Sequence, residues 1–444
     1  MTSVFSVRRS VGLAASVIFA LSAARAVAAE HLGHEAPAAT TLSTRWTGVY
    51  IGGDVGYAFA NDTYTLDPIF FPAVPVNSSN LFASRGISSG ALVGANLVVI
   101  PRWLVGIEAD WSWQHIVTQL SSPNFFGVVM TAKQPWSESV RGRIGFLTTP
   151  SSLVYITAGW AKSKVELSTD VVFGPLTLTS SGTIHGWQVG GGIETAITDD
   201  WHARLEYLQT FYSSAGVDQP LLPLIAEIKP TVGLARAALI YQLGIDGIGA
   251  DAAASPPVHA AWNGLYAGAS IGGAFGYSDV NILSGFGDQV KGIGLAGPLV
   301  SAFIGVNYQL ASRWLIGAEA EIAPSVRSTD LKLGAMEAGR ARFGLLLTPD
   351  TLAYLSAGWM GTAFDNLTTN GFVLVAGQHV DGAQIGGGVE VAATDEWHVR
   401  FDYQYSIMQK INVILPFNPT PVPATVEPRG QVGRIAIVRQ FGGL

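Results

Sequence analysis

Cysteine is absent from this 444-residue sequence, which excludes both a disulfide framework and a thiolate metal site. Charged residues are also few, at 13% of the chain, and their balance gives a net charge of −7. Such an acidic chain is a poor binder of nucleic acid, because the phosphate backbone is recognised through clustered Lys and Arg. Stability must therefore come from packing and from backbone hydrogen bonds.

Long apolar runs are missing everywhere except near the N-terminus. There, Arg8 and Arg9 precede the apolar run Val11–Leu21, and the small residues Ala26–Ala28 follow it. This order is typical of a secretory signal peptide, which we predict over residues 1–28. The Arg pair also permits twin-arginine export, although general export is the default for such a signal.

The rest of the chain is apolar without being able to form a membrane helix. Gly, Ser, Asp, Asn or Arg interrupts every run before it reaches the roughly 18 residues that a helical span needs. The mean hydropathy is nevertheless +0.33, and aromatic residues make up 10% of the chain. A closed β-sheet is the other structure that satisfies every backbone group in lipid. The composition therefore favours a transmembrane β-barrel.

A set of sequence motifs occurs twice, once in each half of the chain. The motif Trp46–Tyr50 returns as Trp262–Tyr266, and the motif Trp103–Asp110 returns as Trp314–Glu321. The separation between the copies changes only from one block of motifs to the next, so short constant connections alternate with long variable ones. This pattern is typical of an antiparallel up-and-down sheet, in which one end of each hairpin is tight and the other end is free to vary. In a membrane barrel the tight end is periplasmic.

Strict alternation of apolar and polar residues marks the strands. The clearest case is Trp103–Gln114, whose odd-numbered positions are almost all apolar and whose even-numbered positions are mostly polar. Segments of about 9–14 residues suit a tilted crossing of the bilayer. The strands predicted on this basis are, in the first copy, Trp46–Phe59, Ala91–Ile100, Trp103–Gln114, Ser139–Phe146, Val154–Lys162, Trp187–Glu194, Trp201–Tyr207 and Thr231–Leu243, and in the second copy Trp262–Tyr277, Val300–Gln309, Trp314–Ala323, Glu337–Leu347, Leu352–Thr362, Asp381–Ala392, Trp397–Tyr405 and Gln431–Phe441.

The polar faces of these strands carry nearly all of the strand charges, and we expect them to line the interior of the barrel. Acids on one strand face bases on its neighbour, and they must pair because an unpaired charge in a narrow lumen costs several kcal/mol. The expected interior network consists of Glu108, Asp110, Arg141, Arg143, Glu194, Arg204, Glu206 and Arg236 in the first copy, and of Glu319, Glu321, Arg340, Arg342, Glu390, Arg400, Asp402 and Arg434 in the second.

The alternative is an apolar interior, which would make each copy a soluble barrel of the lipocalin kind. Aromatic residues near the strand ends argue against it, because Trp and Tyr concentrate at membrane interfaces. The residues expected at these interfaces are Trp46, Trp103, Trp201, Tyr241, Trp262, Trp314 and Trp397.

Glycine and histidine at repeated inner positions suggest packing roles. The triple glycines Gly190–Gly192 and Gly386–Gly388 are expected to make room for a long Arg from a neighbouring strand or to let the sheet curl. His202 and His398 are expected to be hydrogen-bonded inside the barrel near the periplasmic rim. A metal site would need converging ligands, and none is expected here.

Four elements recur in both halves: a Trp-x-Gly-x-Tyr-x-Gly strand, a Trp-Leu-x-Gly-x-Glu strand, an Arg-x-Arg-x-Gly strand leading to a Thr-Pro turn, and Gly-Gly-Gly-x-Glu before Trp-His-x-Arg. As a set, these motifs resemble those of the small outer-membrane β-barrel proteins of α-proteobacteria, porin-like surface antigens related to the OmpA membrane domain. The resemblance covers nearly the whole mature chain, once per half. It implies an eight-stranded barrel in the outer membrane without an established enzymatic activity. The chain departs from the family in its duplication and in the three residues that follow Phe441.

The duplication permits either two barrels or one. Sixteen strands could close into a single porin-sized cylinder, but the Pro256-Pro257 stretch reads as a linker and each half has its own acids and bases. We therefore predict an all-β chain of two tandem eight-stranded antiparallel transmembrane β-barrels, with one sixteen-stranded barrel as the alternative. The expected organisation is a signal peptide (1–28), an N-terminal segment (29–45), a first β-barrel (46–244), a linker (245–261) and a second β-barrel (262–444).

The expected function is that of an exported bacterial outer-membrane protein with a structural and surface role and at most a narrow porin-like conductance. The alternatives are a sixteen-stranded diffusion porin and, less favoured, a lipid-modifying enzyme. No catalytic, cofactor or metal residues are expected. The expected partners are outer-membrane lipid and lipopolysaccharide and the barrel-assembly machinery. An extracellular ligand could bind through the loops predicted near 60–90, 115–137, 209–230 and 406–429.

Overall fold

Two closed antiparallel β-barrels make up the computed structural model, one barrel for each copy of the repeat. The structure describes residues 46–66, 80–122, 128–171, 176–216, 225–243, 258, 260–283, 289–324, 331–369, 372–415 and 422–441. The predicted signal peptide, the N-terminal segment, nearly all of the predicted linker and the residues after Phe441 lie outside the described residues.

The strands follow one another around each barrel in chain order. In the first barrel they are β1 (Gly48–Leu66), β2 (Asn80–Ile100), β3 (Trp103–Ser122), β4 (Val128–Thr149), β5 (Ser152–Val171), β6 (Leu176–Ala196), β7 (Trp201–Tyr212), the short β8 (Ala215–Gly216) and β9 (Ile225–Gln242). In the second barrel they are β10 (Gly264–Ile282), β11 (Gln289–Gln309), β12 (Trp314–Ala323), β13 (Leu331–Thr348), β14 (Thr351–Thr369), β15 (Phe372–Ala392), β16 (Trp397–Met408), the short β17 (Ile411–Leu415) and β18 (Val422–Gln440).

Each barrel closes on itself. Gly52 on β1 pairs with Leu92 on β2 and with Ile240 on β9, so the first strand joins the last. The second barrel closes in the same way through β10, which pairs with β11 and β18. The short strands β8 and β17 continue the pairing of β7 and β16 along β9 and β18. The sixteen-stranded alternative is therefore wrong, and the prediction of two tandem eight-stranded barrels is confirmed.

A tight turn of Pro101 and Arg102 joins β2 to β3. Arg102 has a φ of 73°, a left-handed conformation that residues other than glycine seldom adopt. Its guanidinium donates hydrogen bonds to the carbonyls of Leu147 at 2.9 Å and Thr148 at 3.0 Å. These bonds fasten the turn to the neighbouring hairpin, at a connection that has the same length in both copies.

The strands at the opposite end are longer than predicted, and the predicted loops are correspondingly shorter. The loop expected near 115–137 is strand up to Ser122 and again from Val128, and the loop expected near 60–90 is strand up to Leu66 and again from Asn80. Ladder pairing continues there because Ser, Thr and Asn side chains do not interrupt backbone hydrogen bonds. The alternation of apolar and polar residues fades above the bilayer, so the pattern alone ended these strands too early.

Two belts of outward aromatic side chains mark the position of the bilayer. Trp103 and Trp113 both point outward from β3 and are 45% and 60% exposed. Ten residues of a strand tilted by about 40° rise about 25 Å, which matches the height of the apolar band of membrane barrels. Trp314 and Trp397 repeat the lower belt in the second barrel. In the part of the chain that the structure describes, no helix has the length and hydropathy needed to cross a membrane.

The outward direction of the apolar side chains gives a labelling prediction. Cysteine introduced by Val105→Cys or Ile144→Cys should resist a charged maleimide in intact cells, because both positions point away from the lumen between the belts. Thr177→Cys, on the exposed upper end of β6, should react readily. The native chain has no cysteine, so the signal has no background. Rapid labelling of Val105→Cys would contradict the orientation of the barrel.

Candidate functional site

The central layer of the first barrel is an ion-paired cluster around Glu108. The hydroxyl of Tyr50 donates to Glu108 Oε2 at 2.7 Å, and the guanidinium groups of Arg141 and Arg204 each donate to the same carboxylate at 2.5 Å. The guanidinium of Arg236 lies 3.4 Å from Glu108 Oε1. All of these groups are buried, so Glu108 links its own strand, β3, to four others, β1, β4, β7 and β9, through the interior of the barrel.

A second carboxylate, Glu194, lies on the periplasmic side of the cluster. It accepts hydrogen bonds from Arg143 at 3.0 Å and from Arg204 Nη2 at 2.9 Å, while its other oxygen lies 2.9 Å from His202 Nδ1. His202 is therefore hydrogen-bonded inside the barrel, and its partner is Glu194 on β6 rather than Glu206 on its own strand. Because Arg204 contacts both Glu194 and Glu108, it joins the two parts of the network.

The extracellular side of the cluster is centred on Arg236. This residue donates to Glu206 Oε2 at 2.7 Å and to Asp54 Oδ2 at 3.3 Å. Asp110 lies 2.8 Å from the guanidinium of Arg141. Asp54 was missed by the sequence analysis, although it occupies an inner position on β1 in the same two-residue alternation as Tyr50.

The second barrel repeats this network with its own residues. Glu319 contacts Tyr266, Arg340, Arg342 and Arg400, and Glu390 contacts Arg342, Arg400 and His398. Asp402 accepts from Arg434 at 2.7 Å, and Glu321 pairs with Arg340 and Arg434. The structure thus places all sixteen charged residues singled out in the sequence inside the barrels, and it brings the eight of each copy together within that copy's own barrel.

Tyrosines that the sequence analysis did not single out complete both networks. Tyr155 donates to Glu206 at 2.8 Å, and Tyr50 contacts Glu108 as described above. Glycines make room for both rings: a Cβ built on Gly94 would lie 2.3 Å from Tyr50, and one built on Gly192 would lie 2.9 Å from the hydroxyl of Tyr155. The prediction that the triple glycines accommodate an Arg is therefore corrected, because the space beside Gly192 receives a tyrosine.

Trp46 closes the periplasmic end of the lumen. Its indole Nε1 donates to the carbonyl of Pro150 at 2.9 Å, and its ring lies 4.5 Å from that of His202. The residue is 1% exposed, so its predicted place at the membrane interface is wrong. Gly48 has a φ of 135°, a conformation that only glycine adopts without strain, and it lets the chain turn inward ahead of β1. Trp262 is corrected in the same way, since it closes the second barrel.

Apolar layers lie above and below each ionic layer. In the first barrel Val98, Leu104, Leu147 and Leu153 pack around Trp46 at the periplasmic end. A larger cluster at the other end includes Ile116, Val165, Leu167, Ile184, Leu208 and Leu234. Corresponding clusters occupy the second barrel. A cavity of about 10 Å³ beside Glu321 and Arg434, roughly the room of one water molecule, lies within the second barrel.

The charged side chains of this interior are bound to one another. Its carboxylates are held by guanidinium groups, and the two imidazoles that face it are each bound to a glutamate. Among the residues that the structure describes, no group of three or more His, Asp or Glu side chains is arranged to hold a metal ion.

Comparison with known proteins gives a family for this architecture. The family described as "Outer membrane protein beta-barrel domain" matches residues 12–221. The 31 kDa outer-membrane immunogenic protein of Brucella melitensis is 32% identical over 205 residues, which cover 44% of this chain and 83% of that protein. The 22 kDa outer membrane protein of Rhizobium leguminosarum bv. viciae is 29% identical over 176 residues, which cover 39% of this chain and 67% of that protein.

Among solved structures, that of Neisserial surface protein A is 15% identical to this chain, and the match covers 44% of this chain and 98% of that protein. Its TM-score is 0.26, so the family assignment rests on the sequence matches. The Brucella protein is covered over most of its length, and the barrel that it matches occurs twice here. The chain therefore belongs to the outer-membrane β-barrel family of these Brucella and Rhizobium proteins, as a tandem duplication that resides in the bacterial outer membrane.

Proposed function

We propose that this protein is a structural and surface-presenting component of the outer membrane, with two barrels that are closed to solutes. The observation that carries the proposal is the filling of each lumen. An eight-stranded barrel is only just wide enough for its own side chains. Here an ionic layer crosses the interior between two apolar layers, and Arg141, Arg236 and Arg400 are fully buried within it.

The same interior argues against a lipid-modifying enzyme. Such an enzyme needs a nucleophile or base that reaches the lipid side or the loop crown. The repeated histidines, His202 and His398, have no exposed surface and are bound to Glu194 and Glu390 inside the barrels. We therefore propose that the protein has no catalytic activity, and purified protein should neither hydrolyse phospholipid nor transfer acyl chains.

The proposed partners follow from the outer surface. The aromatic belts and the apolar band between them would contact phospholipid and lipopolysaccharide, and the barrel-assembly machinery would insert both barrels. The Brucella relative is named as an immunogenic protein, which is what a barrel that displays its loops on the cell surface would be. We propose that the extracellular connections of this chain are displayed at the cell surface and are the region where an external ligand would bind.

Conductance tests the proposal directly. In planar bilayers the purified protein should be silent or show picosiemens-scale steps, because an ionic layer between two apolar layers fills the described part of each lumen. A sixteen-stranded porin reconstituted in the same lipid provides the positive control. Steps on the nanosiemens scale from this protein would contradict closed lumens and would revive a role in diffusion.

A further inference from the structure

Part of the outer surface of each barrel is covered although it points away from the lumen. On β1 the outward side chains of Ile51 and Val55 are 50% and 40% exposed, but Phe59, farther along the same face, is 3% exposed. On β10, Ile271 is 61% exposed and Phe275 only 8%. The two phenylalanines cover each other, with ring centroids 4.3 Å apart. The covered surface of each barrel is therefore in contact with the other barrel.

The contact continues down the barrels to the periplasmic turns. Ile193, Val391 and Phe401 form one buried cluster that draws on both barrels, and Leu205 packs against it. Leu205 therefore faces the second barrel instead of lipid. Because barrel strands are tilted, a face that runs along the membrane normal must cross several strands, as this one does from β5 to β1.

Hydrogen bonds join the two barrels at the periplasmic end. Ser151 Oγ lies 2.9 Å from Asp350 Oδ2, and Ser152 Oγ lies 2.9 Å from Thr351 Oγ1. Ser151 and Asp350 lie in the tight β4–β5 and β13–β14 turns, and Ser152 and Thr351 are the first residues of the strands that follow. Both barrels therefore present their periplasmic ends in the same direction, as two barrels in one membrane must.

Both of these hydrogen bonds join a residue to its own counterpart in the other copy. Ser151 and Asp350 are 199 positions apart, as are Ser152 and Thr351. The repeat places Arg141 and Arg340 at the same separation. Phe59 and Phe275 are likewise separated as Trp46 and Trp262 are. When a surface patch meets its own equivalent, the interface is isologous and the two bodies are related by a two-fold axis.

The covered face also carries polar groups, which are costly to place in lipid. Within the second barrel, the hydroxyl of Tyr277 on β10 lies 2.9 Å from that of Tyr405 on β16. Across the contact, the guanidinium of Arg85 on β2 lies 3.6 Å from the ring centroid of Tyr277. Arg85 also reaches Asp279 across the contact, at 3.7 Å. Gln431 points outward from β18 yet is 1% exposed and accepts a hydrogen bond from Tyr403. Such groups are costly in hydrocarbon, so this face is unsuited to acyl chains.

We infer that the two barrels dock side by side in the membrane through equivalent faces about a local two-fold axis, so that the chain is a fused isologous dimer. Contacts between the two faces hold the barrels together, and the linker keeps the barrels near each other. The partner that each face fits is a second copy of the same barrel.

Disulfide trapping in the full chain tests the docking. The variant Ser152→Cys with Thr351→Cys places two thiols where hydroxyl oxygens now lie 2.9 Å apart. The chain has no other cysteine to compete. The control is Ser152→Cys with Ser312→Cys, which moves the second thiol to the β11–β12 turn. Peptide mass spectrometry after unfolding would measure the linked fraction. We expect the first pair to link on the order of ten-fold more than the control, because docking exceeds the local concentration that a flexible linker provides.

Equal linkage of the two pairs, or none in folded protein, would overturn the inference. If the first variant does not fold, the pair Ser151→Cys with Asp350→Cys asks the same question at the neighbouring turn positions.

A bulky substitution in the contact between the barrels provides a second measurement. A Cβ on Gly433 would lie 3.1 Å from Tyr207 of the first barrel, so Gly433→Trp should lower the linked fraction. Gly339→Trp, at an outward glycine with open space around it, should leave the linked fraction unchanged. If Gly433→Trp left the linked fraction unchanged, that result would also contradict the docked arrangement.

Discussion

Replacing Arg204 by methionine is expected to lower the free energy of unfolding of the first barrel by about 3–5 kcal/mol. Arg204 donates to both Glu108 and Glu194, and all three side chains are buried. Methionine keeps much of the side-chain volume but leaves two carboxylates short of a partner. An uncompensated buried charge costs more than the pair itself contributes. Urea unfolding in lipid vesicles, followed by the gel mobility of the folded form, would measure the loss.

Matched variants separate the lost charge from the lost contact. Arg400→Met removes the counterpart in the second barrel and should cost a similar amount there, since Arg400 joins Glu319 and Glu390 in the same way. Arg439→Met removes an arginine whose partner Glu396 is exposed, and it should cost less than about 1 kcal/mol. Equal losses for Arg204→Met and Arg439→Met would show that the interior network is not what stabilises the barrel.

Replacing Gly94 by alanine is the second substitution with a large expected effect, about 1–3 kcal/mol from overpacking. The added Cβ would lie 2.3 Å from the ring of Tyr50 and 2.8 Å from the carbonyl oxygen of Ile107, which belongs to the backbone and cannot move aside. Tyr50 would have to leave its place and release its hydrogen bond to Glu108. The midpoint of urea unfolding would report the change.

Two comparisons make this prediction specific. Gly182→Ala adds the same methyl group where nothing lies within 4 Å, and it should be close to neutral. In a Tyr50→Leu background the cost of Gly94→Ala should shrink, because contacting positions are not additive. An unchanged cost in that background would show that Tyr50 does not occupy the space beside Gly94.

Much of the interior could be read from local alternation. Because successive residues of a strand point to opposite faces, Glu108 and Arg204 had to share the inner face once their strands were recognised. The positions of residues at the strand ends were harder to predict from the sequence. Trp46 was predicted to begin the first strand, but β1 begins at Gly48, and the turn there carries Trp46 into the lumen. A tryptophan that suggested the membrane interface therefore closes the periplasmic end of the barrel.

The order of residues was enough to establish that each copy forms strands with a charged inner face and that these charges occur in matching numbers of neighbouring acids and bases. The folded barrels were needed to establish that β1 pairs with β9, that Arg204 bridges Glu108 and Glu194, and that Leu205 faces the other barrel. The two kinds of information differ in their range along the chain. Alternation is a property of adjacent residues, whereas closure, ion-pair partners and docking depend on how tilted strands from distant parts of the chain come together.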